Sequence, residues 1–320
     1  MTRILAYRFS AFGDVAMTVP VLREFLAQNP EVEIVMVSRQ NFSALFDDIP
    51  NLQFKGINLE DFKGFFGLQK LGKLLLEEFK PNFIADLHDV IRTKTLNLFF
   101  LQKGFKVYKI NKGKAEKEEL TDIWNIEKQP LKPTVERYAD VFREMKFKLE
   151  LLNQLYPKSV KSGIGVAPFA QHKGKMMPLE KTFELVKILA KKHQIFFFGG
   201  GAQEVEILNS WQQKIPNTEN LAGKLTLKQE LEKISGLEAM ISMDSANMHL
   251  ASLVGTRCIS VWGSTHFYAG FLGYGQSVND VVHVKDLTCR PCSVFGDKEC
   301  YRGDYACLHE LNIQQIINLI

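Results

Sequence analysis

No stretch of this 320-residue chain approaches the roughly 18 consecutive apolar residues that a membrane-spanning helix needs. The opening segment, MTRILAYRFSAFGD, lacks the charged-then-apolar design of a secretory signal. The expected location is therefore the cytoplasm, with peripheral contact at the inner face of the cytoplasmic membrane as the further option. A large excess of charge is also missing. Forty Lys and Arg stand against 36 Asp and Glu, a net charge of +4. That is too little to argue for nucleic acid as a partner, but it suits a phosphorylated substrate. The loop after the first apolar run has no G-x-G-x-x-G, which counts against an NAD-dependent enzyme. No D-x-D is present either, so nothing in the sequence requires a metal clamp on a diphosphate. Internal repeats and low-complexity tracts are absent.

What is present is ordinary globular composition, 46% hydrophobic and 24% charged, in a length that suits two domains of about 150 residues. Strand-like and helix-like segments alternate. RILAYRF is β-prone, DVAMTVPVLREFLAQNP has helical spacing and stops near Pro30, and VEIVMVS and NFIADLH are further strands. After an irregular charged stretch over 148–162, a second series begins at GIGVAPFA. It runs through the helix LEKTFELVKILAKKH, the strands QIFFFGGG and LEAMISMD, the helix SANMHLASLVG and the strand TRCISVWGS. LNIQQIINLI is expected to close the chain as an amphipathic helix. This β/α order predicts parallel sheets covered by helices, in two Rossmann-like domains over 1–155 and 156–320.

Ligands of open parallel sheets bind beyond the carboxyl ends of the strands, and three loops there carry chemistry. RFSAFGDVAMTVP offers Asp14 at the start of a helix, where it serves either as an N-cap or as a general base. APFAQHKGKMMP presents His172, Lys173 and Lys175, which are either solvated surface groups or point charges for a phosphate. MDSANMHLASLVG places Ser245 to cap a helix whose free N–H groups favour an anion, with His249 one turn further on. That histidine is either structural or a ligand contact. Gly199, Gly200 and Gly201 would let backbone approach a ligand closely.

Together these blocks resemble glycosyltransferase family 9, the heptosyltransferases. RFSAFGDVAMTVPVL resembles that family's N-terminal motif, ISMDSANMHLASLVGTRCISVWGST its donor signature, and NLAGKLTLKQELEKISG the segment before it. The resemblance implies an α/β GT-B architecture, two Rossmann-like domains facing a central cleft, with acceptor in the first half and donor in the second. It implies transfer of a heptose or related sugar, with inversion, from an ADP-heptose-like nucleotide-sugar to an anionic lipid-linked acceptor of the lipopolysaccharide core. Asp14 matches the catalytic base and Lys175 the lysine that meets the donor diphosphate. Asp244, Ser245, Ala246 and His249 match the D-[ST]-G-x-x-H element, with Ala246 in place of the usual glycine. The glycines at 199–201 and Leu221 complete the donor set. Ser10, together with His88 and Arg92 of DLHDVIRTKTL and Arg137 and Tyr138 of VERYADVF, is nominated on the acceptor side. Other readings are a relative with another nucleotide-sugar or acceptor, and a catalytically silent sugar binder.

Three further segments stand apart. RTKTLNLFFLQKGFKVYKINKGKAEKEEL carries eight basic residues against three acids, either as a face for anionic groups or a membrane, or as a solvated edge. FKGFFGLQKLGKLLLEEF sets Phe and Leu beside Lys, as a core helix or an interfacial one. Cys289, Cys292, Cys300 and Cys307 form C-x2-C-x7-C-x6-C, which suits structural zinc, another metal such as an iron–sulfur centre, two disulfides, or free thiols. No cofactor is required for the transfer itself.

Overall fold

The computed structural model describes residues 1–157 and 161–320. The chain forms two compact units: Met1–Lys112 with Thr134–Leu152, and Gly113–Pro133 with Asn153–Ile320. It passes from one to the other three times, where a single cut between 155 and 156 has it pass once. The described part of the irregular stretch over 148–162 holds no helix or strand, and residues 158–160 lie outside the described residues.

The first unit contains strands β1 (Thr2–Tyr7), β2 (Val32–Arg39), β3 (Leu52–Ile57), β4 (Phe83–Asp86) and β5 (Val107–Lys109). Its main helices are α1 (Phe12–Gln28), α2 (Gly64–Phe79) and α3 (Ile91–Gln102); after α4 (Lys114–Leu120), which belongs to the second unit, comes α5 (Thr134–Glu144). All sheet pairings are parallel, in the order β3-β2-β1-β4-β5. Ile4–Tyr7 are fully covered, as expected for a strand buried on both faces. On α2, Leu68, Leu71, Leu75 and Phe79 recur at helical spacing and enter the core. The helix comes so close to α3 that a Cβ on Gly72 would lie 2.4 Å from the Phe99 ring.

The second unit contains β6 (Ile164–Ala167), β7 (Ile195–Phe197), β8 (Thr218–Asn220), β9 (Ala239–Met243), β10 (Cys258–Val261) and β11 (Val281–Val282). Around them are α6 (Leu179–Leu189), α7 (Ala202–Lys214), α8 (Leu227–Ser235), α9 (Ala246–Leu253), α10 (Ala306–His309) and α11 (Ile313–Ile317). The sheet is again parallel, in the order β11-β10-β9-β6-β7-β8. The closing helix is shorter than its sequence suggests. Asn312 caps it by accepting from the Gln314 N–H, and Ile316 is fully buried.

In each unit the strand order reverses once. The first sheet grows outward on either side of the β1/β4 pair and the second on either side of β6/β9. These reversals open a crevice at the carboxyl ends of the two strands.

Candidate active site

At the first reversal, the chain leaves β1 through Arg8, Phe9 and Ser10 and enters α1. Asp14 is the third residue of that helix, not its N-cap. The cap position is Ala11, whose N–H donates to Asp14 Oδ2 at 3.3 Å. The same oxygen lies 2.8 Å from Arg8 Nη2. Arg8 is buried, bonds the Leu87 carbonyl at 2.6 Å and holds its guanidinium carbon 5.5 Å over the Tyr138 ring. Asp14 therefore sits at the mouth of the crevice, a quarter exposed, with its carboxylate fixed from behind. Tyr138 donates to the Asp14 carbonyl at 3.4 Å, and burial, with the Asp14 charge, raises its phenol above the ordinary range despite Arg8.

From the other side of the crevice comes the loop after β4. Buried Asp86 accepts from the His88 and Asp89 N–H groups at 2.8 and 2.9 Å and from Asn97 at 2.8 Å, which fixes the loop. His88 Nε2 then lies 3.4 Å from Ser10 Oγ, and Nδ1 is buried with no hydrogen-bond partner among the described residues. Burial, then Arg8, Lys112 and Arg92, push its pKa down to about 3 against the pull of Asp14, so the ring is neutral near pH 7. Ser10, Asp14, His88 and Tyr138 thus gather in one place. Arg92 is exposed at the start of α3, within electrostatic reach of His88. Arg137 is buried on α5 and donates to the Asn111 carbonyl at 3.4 Å. Arg8 and Asp86 were not anticipated. The signal for Arg8 was its place: an arginine continuing an apolar buried strand needs a counter-charge, and Asp14 is the next acid in the chain.

At the second reversal, three adjacent strands each deliver one residue. Lys175 ends the short turn after β6, Asp244 follows β9 and Thr265 follows β10. Lys175 Nζ and Thr265 Oγ1 both lie 2.9 Å from Asp244 Oδ2. The turn is stitched down by Ser264, whose N–H and hydroxyl both donate to the Gly174 carbonyl, at 2.8 and 2.9 Å. Only glycine fits at 174, since a Cβ there would come 2.4 Å from Ser264 Oγ. Thr265 is a third residue that the motif reading passed over, although it closes the VWGST run.

Ser245 is at the N-cap of α9 but does not cap it. Its hydroxyl lies 3.2 Å from Ser242 Oγ and bonds no helix N–H. That leaves the first N–H groups of α9, at Ala246 and beyond, without this side chain as acceptor, at a helix end where the dipole favours an anion. His249 is buried one turn in. His172 and Lys173 flank the same turn, and Lys173 holds its ammonium 4.8 Å over the Tyr305 ring. The glycine loop after β7 meets a carboxylate of the helix that follows it. The Gly200 and Gly201 N–H groups donate to Glu204 Oε2, at 2.8 and 3.4 Å. Leu221, just past β8, is partly buried and donates its N–H to the Phe197 carbonyl at 3.0 Å.

The four clustered cysteines do converge: Cys289, Cys292, Cys300 and Cys307 line one small cavity with Arg290 and Tyr305. The arrangement gives the zinc reading no support. All four are free thiols, and among the described residues no group of three or more His, Cys, Asp or Glu could hold a metal ion. Burial, which outweighs Arg290, pushes Cys307 up to about 12, and burial with its thiol neighbours raises Cys292. What the segment does hold is Arg290, buried among backbone carbonyls: Gly263 and Thr265 at 2.7 Å, Trp262 and Val284 at 3.2 Å. The segment thereby clamps the loop that carries Thr265. Arg290→Met is expected to strand several buried carbonyls and cost at least about 2 kcal/mol, read as a lowered urea midpoint. An unchanged midpoint would refute the clamp.

Two all-parallel sheets, each with polar side chains gathered at its strand-order reversal, make this a GT-B fold. A glycosyl transferase family 9 protein from Veillonella parvula matches it with a TM-score of 0.73 at 15% identity, over 99% of this chain and 95% of its own. E. coli ADP-heptose lps heptosyltransferase II matches at 0.70 and 20%, over 99% and 97%. In sequence, the model of glycosyltransferase family 9 (heptosyltransferase) matches residues 146–301. Lipooligosaccharide heptosyltransferase 2 of Campylobacter jejuni serotype O:6 is 26% identical over 96% of this chain and 95% of its own. The match to the family 9 model covers a little under half of the chain, and the chain is a glycosyltransferase.

Proposed function

We propose that this enzyme moves a heptose from an ADP-sugar to the core saccharide of a lipid-linked lipooligosaccharide or lipopolysaccharide, with inversion. Its similarity to lipooligosaccharide heptosyltransferase 2 supports the sugar and acceptor class, and the second-unit geometry supports the donor class. The observation that carries the reading is the placement of Asp14 and of the Lys175–Asp244–Thr265 group at the two strand-order reversals.

In this mechanism Asp14 removes the proton of an acceptor hydroxyl as its oxygen attacks the anomeric carbon on the face opposite the nucleotide. Arg8 orients the carboxylate from behind, and neutral His88 offers a hydrogen bond without adding charge. Lys175 and the N–H groups at the start of α9 take up the charge of the departing diphosphate. Asp244 and Thr265 hold the ammonium where that charge develops. Ala246, Gly199, Gly200, Gly201, Leu221 and His249 line the donor side, and Arg92 and Arg137 the acceptor side. The reaction takes place in the cytoplasm at the inner membrane face. No helix is long and apolar enough to cross a membrane among the described residues, so contact with lipid is peripheral in this reading.

The test is a thermal-shift series with ADP, GDP, UDP, CMP and NAD. ADP at about a hundredfold its Kd is expected to stabilise by about 2.7 kcal/mol, and the others not at all. Lys175→Ala should weaken ADP binding by about tenfold, the worth of one charge-assisted contact. Stabilisation by another nucleotide alone would overturn the donor assignment.

A further inference from the structure

The Phe-rich helix and the basic run, which lies mostly outside the active site, are side by side in the first unit. α2 and α3 pack against each other through Gly72 and Phe99 and share one core. Their outer surfaces are apolar where nothing within the unit covers them. At the start of α2, Phe65 and Phe66 are 49% and 82% exposed. On α3, Ile91 is 86% exposed and Leu98 and Leu101 are each 53% exposed. Steps of seven and three residues put these three, with Lys94, on one stripe of the helix. The two groups belong to neighbouring helices, which approach each other at Gly72 and Phe99.

The charge around this surface has one dominant sign. Between Val90 and Gly113 the chain carries Arg92, Lys94, Lys103, Lys106, Lys109 and Lys112, and no acidic residue. All but Lys112 are exposed. The nearby acids are partly neutralised already: Asp89 lies 3.9 Å from both Lys94 and Lys109, and Glu60 is paired with Lys63. Apolar side chains ringed by cations match a surface with an anionic layer over hydrocarbon.

We infer that the outer face of α2 and α3 is a docking surface for an anionic phospholipid membrane. Leu98, Leu101 and Phe66 enter the interfacial layer while Lys94 and Lys103 meet lipid phosphates. This deepens the proposed function, since it rests on the reading that the acceptor is lipid-linked and gives that acceptor a surface on which to be met.

Co-sedimentation of the full chain with vesicles tests it, using phosphatidylcholine alone and phosphatidylcholine mixed with phosphatidylglycerol. Wild type is expected to bind the mixed vesicles, to release in high salt and to ignore the neutral ones. Leu98→Glu/Leu101→Glu should lower the partition coefficient by about tenfold or more, because it adds two repelled charges at the surface. Phe66→Ser should lower it less, and all variants should keep the wild-type Tm. Equal binding to both vesicles, or undiminished binding by the double variant, overturns the inference. Concentration-dependent self-association lost in the double variant, without vesicle binding, also overturns it, and makes the face a contact between copies. Turnover on a delipidated acceptor separates this result from the underlying reading. The double variant should retain that turnover; vesicle binding without any transfer by wild type would fail the reading and leave the surface standing.

Discussion

Replacing Asp14 with asparagine is expected to lower turnover by about 10²–10⁴, the usual worth of a positioned general base, while leaving ADP binding nearly unchanged. The substitution is chosen for what stands behind the carboxylate. Arg8 is buried, and its Nη2 relies on Asp14 Oδ2 at 2.8 Å. An asparagine side chain retains an oxygen for that donor, whereas Asp14→Ala would leave a largely buried guanidinium with neither counter-charge nor acceptor. Alanine should therefore cost stability as well, up to about 3 kcal/mol. Steady-state transfer kinetics beside a denaturation curve separate the two losses. Full turnover in a folded Asp14→Asn protein would remove Asp14 from the mechanism.

Acid is expected to destabilise the fold well before the carboxylates titrate. Three histidines have pKa values held far below the ordinary value of 6.5: His88 and His266 at about 3, and His283 at about 4. Burial is the main cause in each case. Arg8 comes next for His88, and Arg290 for the other two. Above about pH 6.5 these rings are neutral whether the chain is folded or not, so they add no pH dependence there. Below it, the unfolded chain takes up protons that the native rings refuse, and stability falls until the folded pKa values are reached. At about pH 5 each contributes a loss on the order of 2 kcal/mol. Two of the three lie in the second unit, so its transition should move further than that of the first. Urea unfolding at about pH 7 and about pH 5 measures the difference, and His283→Gln should remove about a third of it. Equal stability at the two pH values would contradict the burial on which this rests.

The strands and helices most legible in the sequence were those fully covered by the fold. β1, β2, β6, β9 and β10 are runs of apolar residues because both faces of a parallel sheet are dry. β3 was not legible, because LQFKGI is mostly half-covered and keeps polar residues in an apolar frame. β5 was hidden by its length of three residues. Among the site residues, those belonging to a motif could be named from spacing. Arg8, Asp86 and Thr265 could not, because their roles come from partners brought near by the order of strands. The cysteine pattern shows the converse. Its spacing suits a metal, while one of the two residues between the first two cysteines, Arg290, makes the bonds that hold the segment in place.

Because Gly113–Pro133 belongs with the later part of the chain, synthesis from the amino end imposes a waiting order. Helix α5 closes the first unit, stacking Phe142 on Phe25 of α1 at 4.6 Å, and it leaves the ribosome only after that segment. The segment must wait longer still: its Leu131 donates to the Tyr268 carbonyl at 2.8 Å, and Lys117 rests 4.2 Å over the Phe271 ring. For most of translation, then, this stretch has no bed to lie in. A nascent chain halted near residue 200 should already resist protease through its first unit and be cut between residues 113 and 133.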